Sequence, residues 1–168
     1  MWSYTRTARL EERSRKSPLF KAPEILKLEE AQRVLVFAPH PDDETLGCGG
    51  TLARLADRAE IKVILVSDGS GAGELPVETI EIRRAEFLEA LRILKIQNHE
   101  LWDFPDGQIS NDAPLQDHIR DILTTYRPNW IFSPSPFDYH RDHRNLSQAI
   151  EAVASKMPFI DRRILYET

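Results

Sequence analysis

The feature that most constrains this chain is an alternation of short apolar runs with segments whose apolar residues recur at helical spacing. Arg33 to Pro39 is a continuous run rich in Val and Leu. A parallel strand buried on both faces has this pattern, because it has no solvent side on which to place polar residues. Thr45 to Arg58 follows with Leu46, Leu52, Ala53, Leu55 and Ala56 at helical spacing, and Ile61 to Val66 reads as a second strand. A loop with Gly69, Gly71 and Gly73 leads into a helix from Val77 to Leu94, with Ile80, Phe87, Leu88, Leu91 and Leu94 as its stripe. The alternation continues: His99 to Phe104 as a weaker third strand, then Leu115 to Tyr126 as a helix ended by Pro128. Trp130 to Phe132 is a fourth strand, Arg144 to Ser155 a helix, and Arg163 to Tyr166 a fifth strand. Strands alternating with helices predict an α/β fold, a Rossmann-like three-layer sandwich with a mainly parallel sheet and helices on both faces.

With 168 residues, 41% of them hydrophobic, the chain can bury one core, assigned to a domain over residues 31–168. Residues 1–30 mix Arg, Lys, Glu and Ser without a sustained apolar period, and read as an extension outside that core or docked loosely on it. Lys and Arg number 22 against 27 Asp and Glu, a net charge of -5, so no basic excess exists to neutralise a phosphate backbone and nucleic acid is not an expected partner. The single cysteine, Cys48, allows neither an internal disulfide nor a thiolate zinc ribbon, and fits a reducing cytoplasm. No apolar run approaches the roughly 18 residues of a membrane span, and Met1 to Arg6 lacks the apolar segment of a secretory signal. A homo-oligomer is compatible with all of this.

In open parallel sheets, ligands bind beyond the carboxyl ends of the strands, where loops and helix N-termini converge. Two polar clusters fall at such ends. His40-Pro41-Asp42-Asp43-Glu44, after the first strand, puts one imidazole and three carboxylates on a proline-stiffened turn. Successive acids repel one another, and a divalent cation turns that repulsion into coordination. Zinc accepts His nitrogen and Asp oxygen, and a catalytic zinc site uses three protein ligands and one open position, so this cluster supplies part of a set. Taken singly, Asp42, Asp43 or Thr45 could instead cap the following helix. The second cluster, His140-Arg141-Asp142-His143, follows the fourth strand after Pro134-Ser135-Pro136-Phe137-Asp138-Tyr139. One imidazole there can bind metal while the other faces substrate, and a neighbouring carboxylate can fix a tautomer. The alternative is a surface helix start with Asp142 as N-cap and two exposed histidines. Asp68, Asp103 and Asp106 end at the same edge, whereas His99 and His118 have no such company and read as surface residues.

Pro39-His40-Pro41-Asp42-Asp43-Glu44, Gly47-Cys48-Gly49-Gly50 and His140-Arg141-Asp142-His143 together resemble the PIG-L (LmbE-like) N-acetylglucosaminyl deacetylases. The resemblance extends over Arg33 to Thr168 and includes Arg83-Arg84-Ala85-Glu86 and Asp106-Gly107. It implies a Zn2+ ion bound by His40, Asp43 and His143, although the residues alone do not choose between Asp42 and Asp43 as ligand. It implies Asp42 as general base, and His140, oriented by Asp142, as oxyanion stabiliser or proton donor to the amine. Arg83 and Asp106 resemble the family's substrate-facing positions, and the implied substrate is a small molecule or glycoconjugate bearing an N-acetyl group.

Three rival readings remain open from the sequence. Gly47-x-Gly49 with Asp68 is similar to a dinucleotide fingerprint, but position 52 is Leu and the acids would repel a pyrophosphate; the glycines read instead as close-packing and turn residues. A metal-dependent phosphoesterase would need ligands for a second metal. The third rival is a truncated, non-catalytic zinc-binding relative. Other divalent transition ions also suit imidazole and carboxylate.

Overall fold

The computed structural model describes residues 26–71 and 74–168. Most of the expected extension, residues 1–25, and Gly73 of the glycine loop therefore lie outside the described residues. Five strands form one sheet: β1 (Arg33–Ala38), β2 (Glu60–Ser67), β3 (Asn98–Phe104), β4 (Trp130–Pro134) and β5 (Arg162–Tyr166), in the order β3-β2-β1-β4-β5. All four pairings are parallel, so the expected sheet is present without an antiparallel member. The helices are α1 (Asp43–Leu55), α2 (Val77–Ile93), α3 (Ala113–Tyr126) and α4 (Arg141–Ala154).

The apolar run of β1 is central because both of its faces are buried. Val34 and Val36 join Leu52 and Leu55 of α1 and Phe87 and Leu91 of α2 in one core. Leu35 and Phe37 face the other way, against Leu115, Ile119 and Leu123 of α3 and Leu146, Ala149 and Ile150 of α4. Alternate residues of one strand thus anchor two helical layers, each fully buried large side chain contributing about 1.5–3 kcal/mol. Leu28, in a short 3-10 turn over Leu28–Glu30, is also buried in the first core, so core packing starts before the expected boundary at residue 31.

Local signals set the helix ends. Asp112 caps α3 by accepting from the Leu115 N–H, and Arg127 at φ 51° ends it in the left-handed region just before Pro128. Helix α4 begins at Arg141, three residues before the sequence expectation, which brings Asp142 and His143 into its first turn. The strand order reverses between β1 and β4, and the topology of doubly wound sheets leaves a crevice there. Both polar clusters follow these two strands. Among the described residues, no helix is long and apolar enough to cross a membrane.

Candidate metal centre

The turn after β1 and the start of α4 meet across that crevice. His40 Nδ1 lies 3.3 Å from Asp43 Oδ2 and 3.3 Å from His143 Nε2, and His143 Nε2 lies 3.1 Å from the same Asp43 oxygen. The three residues expected as ligands therefore converge on one another, and all are buried. Bonds of about 2.0–2.1 Å to a tetrahedral ion would separate its ligand atoms by about 3.3 Å, so the donor set fits a zinc-sized cation. Other sets also converge on His40. His140 joins His40 and His143, and Asp106 and Asp142 form a second group with His40.

The electrostatics describe a site that attracts positive charge. Burial disfavours a charged His40 ring, yet Asp142, Asp43 and Asp106 outweigh it and raise its pKa from 6.5 to about 10. His143 moves upward too, its burial overcome by Asp43 and Asp138. Burial pushes the Asp43 carboxyl up, but hydrogen bonds and charge from His143 and His40 hold it far below the usual carboxylate range. A bound cation would serve the role that protons take here, as ligand pKa values and metal affinity are linked.

Asp42 occupies the N-cap position of α1 but makes no capping bond with its side chain. Capping is not its task, and the Asp43 carboxylate instead accepts from the His40 N–H at 2.9 Å. Asp42 lines a cavity of about 520 Å³ that also exposes His40, Asp43, His140 and His143. Its pKa is raised by burial and by the Asp43 charge, against the lowering effect of Arg83 and the two imidazoles. Arg83 and Asp106 line the same cavity. Arg83 donates to the Gly69 carbonyl at 2.8 Å and stands 3.8 Å from Asp106, whose other contacts are His40 Nε2 at 3.2 Å and the Gly71 N–H at 2.8 Å.

The expected pairing of Asp142 with His140 is made by the backbone. The Asp142 carboxylate accepts from the Gly107 N–H at 2.7 Å and lies 3.3 Å from His40 Nε2, while the Asp142 N–H meets His140 Nδ1 at 3.3 Å. The early start of α4 is the reason, because it turns the fully buried Asp142 inward and leaves His140 as N-cap, its Nδ1 accepting from the Asp142 backbone N–H. His140 is exposed toward the cavity with Nε2 available as a donor. The reading of α4 as a surface helix start with Asp142 as cap and two exposed histidines fails at Asp142 and His143, both buried.

Sequence reading gave no role to Asp138, whose Oδ2 lies 2.9 Å from His143 Nδ1. Its only sequence signal was an acid inside the proline-rich approach to the histidines. Asp68 serves the loops, accepting from the N–H groups of Ser70 and Asp106, which removes it as a ribose ligand. Gly47 and Gly49 sit inside α1 rather than on a strand-to-helix turn, and the dinucleotide reading fails. Close packing holds at Gly47, where an added Cβ would lie 2.2 Å from Tyr166 Cδ2; Gly49 has only ordinary contacts and Gly50 none within 4 Å. His99 and His118 are exposed, as expected, although His118 packs against Trp102 and Phe104.

An imidazole–carboxylate cluster at the carboxyl edge of a doubly wound parallel sheet defines the class: an α/β protein with a candidate metal site at its topological switch point. A family model described as PIG-L: GlcNAc-PI de-N-acetylase matches residues 35–154, and the chain belongs to that family. Diacetylchitobiose deacetylase of Thermococcus kodakarensis is 30% identical over 134 residues, covering 74% of this chain and 50% of that protein. The structure of a conserved protein from Thermus thermophilus matches with a TM-score of 0.70 at 31% identity, over 80% of this chain and 66% of that one. N,N'-diacetylchitobiose deacetylase from Pyrococcus horikoshii, in complex with its inhibitor MPG, gives 0.70 at 26% identity, over 96% and 62%. The chain thus spans half to two thirds of the length of these relatives.

Proposed function

We propose that this protein is a zinc-dependent hydrolase that removes the acetyl group from an N-acetylglucosamine-type sugar or glycoconjugate. The observation that carries this reading is the meeting of His40 Nδ1, Asp43 Oδ2 and His143 Nε2 within 3.1–3.3 Å of one another, beside a carboxylate, Asp42, that is not used for capping. The named deacetylases among the relatives support the reaction type and the sugar class.

Zinc bound by His40, Asp43 and His143 would lower the pKa of a water to about 7 and polarise the amide carbonyl. Asp42 takes the proton of the attacking water, and its raised pKa makes it a better acceptor than an ordinary aspartate. His140, with Nδ1 occupied by the Asp142 N–H, presents Nε2–H to the cavity. That donor stabilises charge growing on the amide oxygen, and the proton held by Asp42 would pass to the departing amine. Asp142 and Asp106 together hold the far side of the His40 ring. Arg83, which lines the cavity, would meet the sugar hydroxyls.

The test is an acetate-release screen of zinc-loaded protein over N-acetylated glycosides, with phosphomonoesters as comparison substrates. Acetate release lost in both His40→Ala and Asp42→Asn is the expected result. Phosphate release without acetate release would favour the phosphoesterase, and bound zinc with no turnover on any substrate would favour a binding relative.

A further inference from the structure

Each imidazole of the candidate centre has a second ring nitrogen, and each of those faces a carboxylate. For His40 it is Nε2, against Asp142 and Asp106. For His143 it is Nδ1, 2.9 Å from Asp138 Oδ2, a shorter contact than either that Nε2 makes toward Asp43 and His40. Asp138 is itself held in place. Its Oδ1 accepts from the His140 N–H at 2.8 Å, and its own N–H donates to the Ser135 carbonyl at 3.3 Å. Arg144 Nη1 donates to the Asp138 carbonyl at 2.9 Å, and only 9% of the Asp138 side chain is exposed.

A neutral imidazole carries one proton, and the nitrogen that holds it has no lone pair to offer. A proton on His143 Nε2 would remove one of the three donors that converge with Asp43 and His40. An ionised carboxylate only accepts hydrogen bonds, so Asp138 requires the proton on Nδ1. We infer that Asp138 is a positioning residue for the metal centre: it fixes His143 as the Nδ1–H tautomer and directs the Nε2 lone pair at the cation. A role confined to ordering the turn before α4 would use Oδ1 and the backbone contacts, and would not need Oδ2 on the ring. This inference rests on the metal-centre reading above and adds to it a residue outside the ligand set.

Zinc affinity, measured by competition with a chromophoric chelator at fixed pH, tests this without any substrate. Asp138→Ala should bind zinc about 10- to 100-fold more weakly than the parent, the usual cost of losing an outer partner of a metal-bound imidazole. Asp138→Asn should recover most of the loss, because its amide oxygen still accepts from Nδ1–H. A purely structural role predicts no such rescue pattern, and melting curves of the metal-free variants report any folding defect separately. Parent-like affinity in Asp138→Ala, or Asp138→Asn falling as far as Asp138→Ala, would overturn the inference. His143→Ala separates the two claims: weak binding there with normal binding in Asp138→Ala sinks only the role of Asp138, whereas normal binding in His143→Ala sinks the metal centre as well. Should Asp138→Ala fail to fold, nitrogen-15 histidine spectra of the zinc-loaded parent decide. A protonated Nδ1 on His143 is expected, and a protonated Nε2 overturns the proposal.

Discussion

Changing Gly47 to alanine and Gly50 to alanine makes the same chemical substitution twice in α1, with opposite expected outcomes. Alanine is favoured over glycine inside a helix by about 0.5–1 kcal/mol, and both positions lie within Asp43–Leu55. At Gly50 an added Cβ meets nothing within 4 Å, so the whole gain should appear as stability. At Gly47 the new methyl would lie 2.2 Å from Tyr166 Cδ2 and 2.7 Å from Cγ, whereas carbon atoms pack at about 3.5–4.0 Å. The Tyr166 ring cannot simply swing aside. It is 5% exposed, its hydroxyl donates to the Phe37 carbonyl at 2.6 Å, and its own carbonyl accepts from Ser135 N–H. Overpacking of this kind costs roughly 1–3 kcal/mol, which offsets the helix gain and leaves Gly47→Ala up to about 2.5 kcal/mol less stable than the parent. The two variants should therefore differ by the overpacking cost alone, about 1–3 kcal/mol, or roughly 2–12 °C in melting temperature for a chain of this size. Urea unfolding followed by circular dichroism, on metal-free protein, reads the difference directly. Equal stability of the two variants, or a Gly47→Ala variant more stable than the parent, would show that β5 does not pack on α1 as described.

The remaining predictions concern the site. Asp42→Asn should keep stoichiometric zinc, by elemental analysis, while turnover drops about 100- to 10,000-fold, the range typical for loss of a general base; co-loss of metal would argue that Asp42 is a ligand instead. His40 contributes stability to the metal-free protein that is complete below about pH 6.5 and is lost as pH rises through about 10, because its folded pKa lies above its ordinary value. Zinc competes for the same position, so binding should release protons across that window, seen as a buffer-dependent heat in calorimetry; a buffer-independent heat would refute it. Glu44 is wholly buried with one carboxylate oxygen unpartnered, and burial raises its pKa from 4.5 to about 7. Its stabilising contribution is present below about pH 4.5 and lost as pH rises through 7, so Glu44→Gln should be the more stable protein at pH 8. The gain is at most about 3 kcal/mol, from 1.36 kcal/mol per pKa unit, and the urea midpoint at pH 5 and pH 8 checks it.

The alternation of apolar runs and helical stripes was enough to predict every strand and helix of the sheet in order, since strands buried on both faces and amphipathic helices follow from local periodicity. The density of acids and imidazoles in residues 40–44 and 140–143 was likewise legible, because so much charge in two short turns needs a reason. Helix starts were less so: α4 begins at Arg141 with His140 as its cap, a position that Ser, Thr, Asp and Asn favour over histidine. That shift of three residues turned the Asp142 carboxylate to the His40 ring and left its backbone N–H on His140. Asp138 and Tyr166 carried almost no sequence signal. Their roles depend on contacts across 5 and 129 positions, with His143 Nδ1 and the Phe37 carbonyl. Local pattern sets which elements form, through propensity and burial. Only the packed sheet, by bringing the ends of β1 and β4 to one crevice, decides which nitrogen of each imidazole keeps its lone pair.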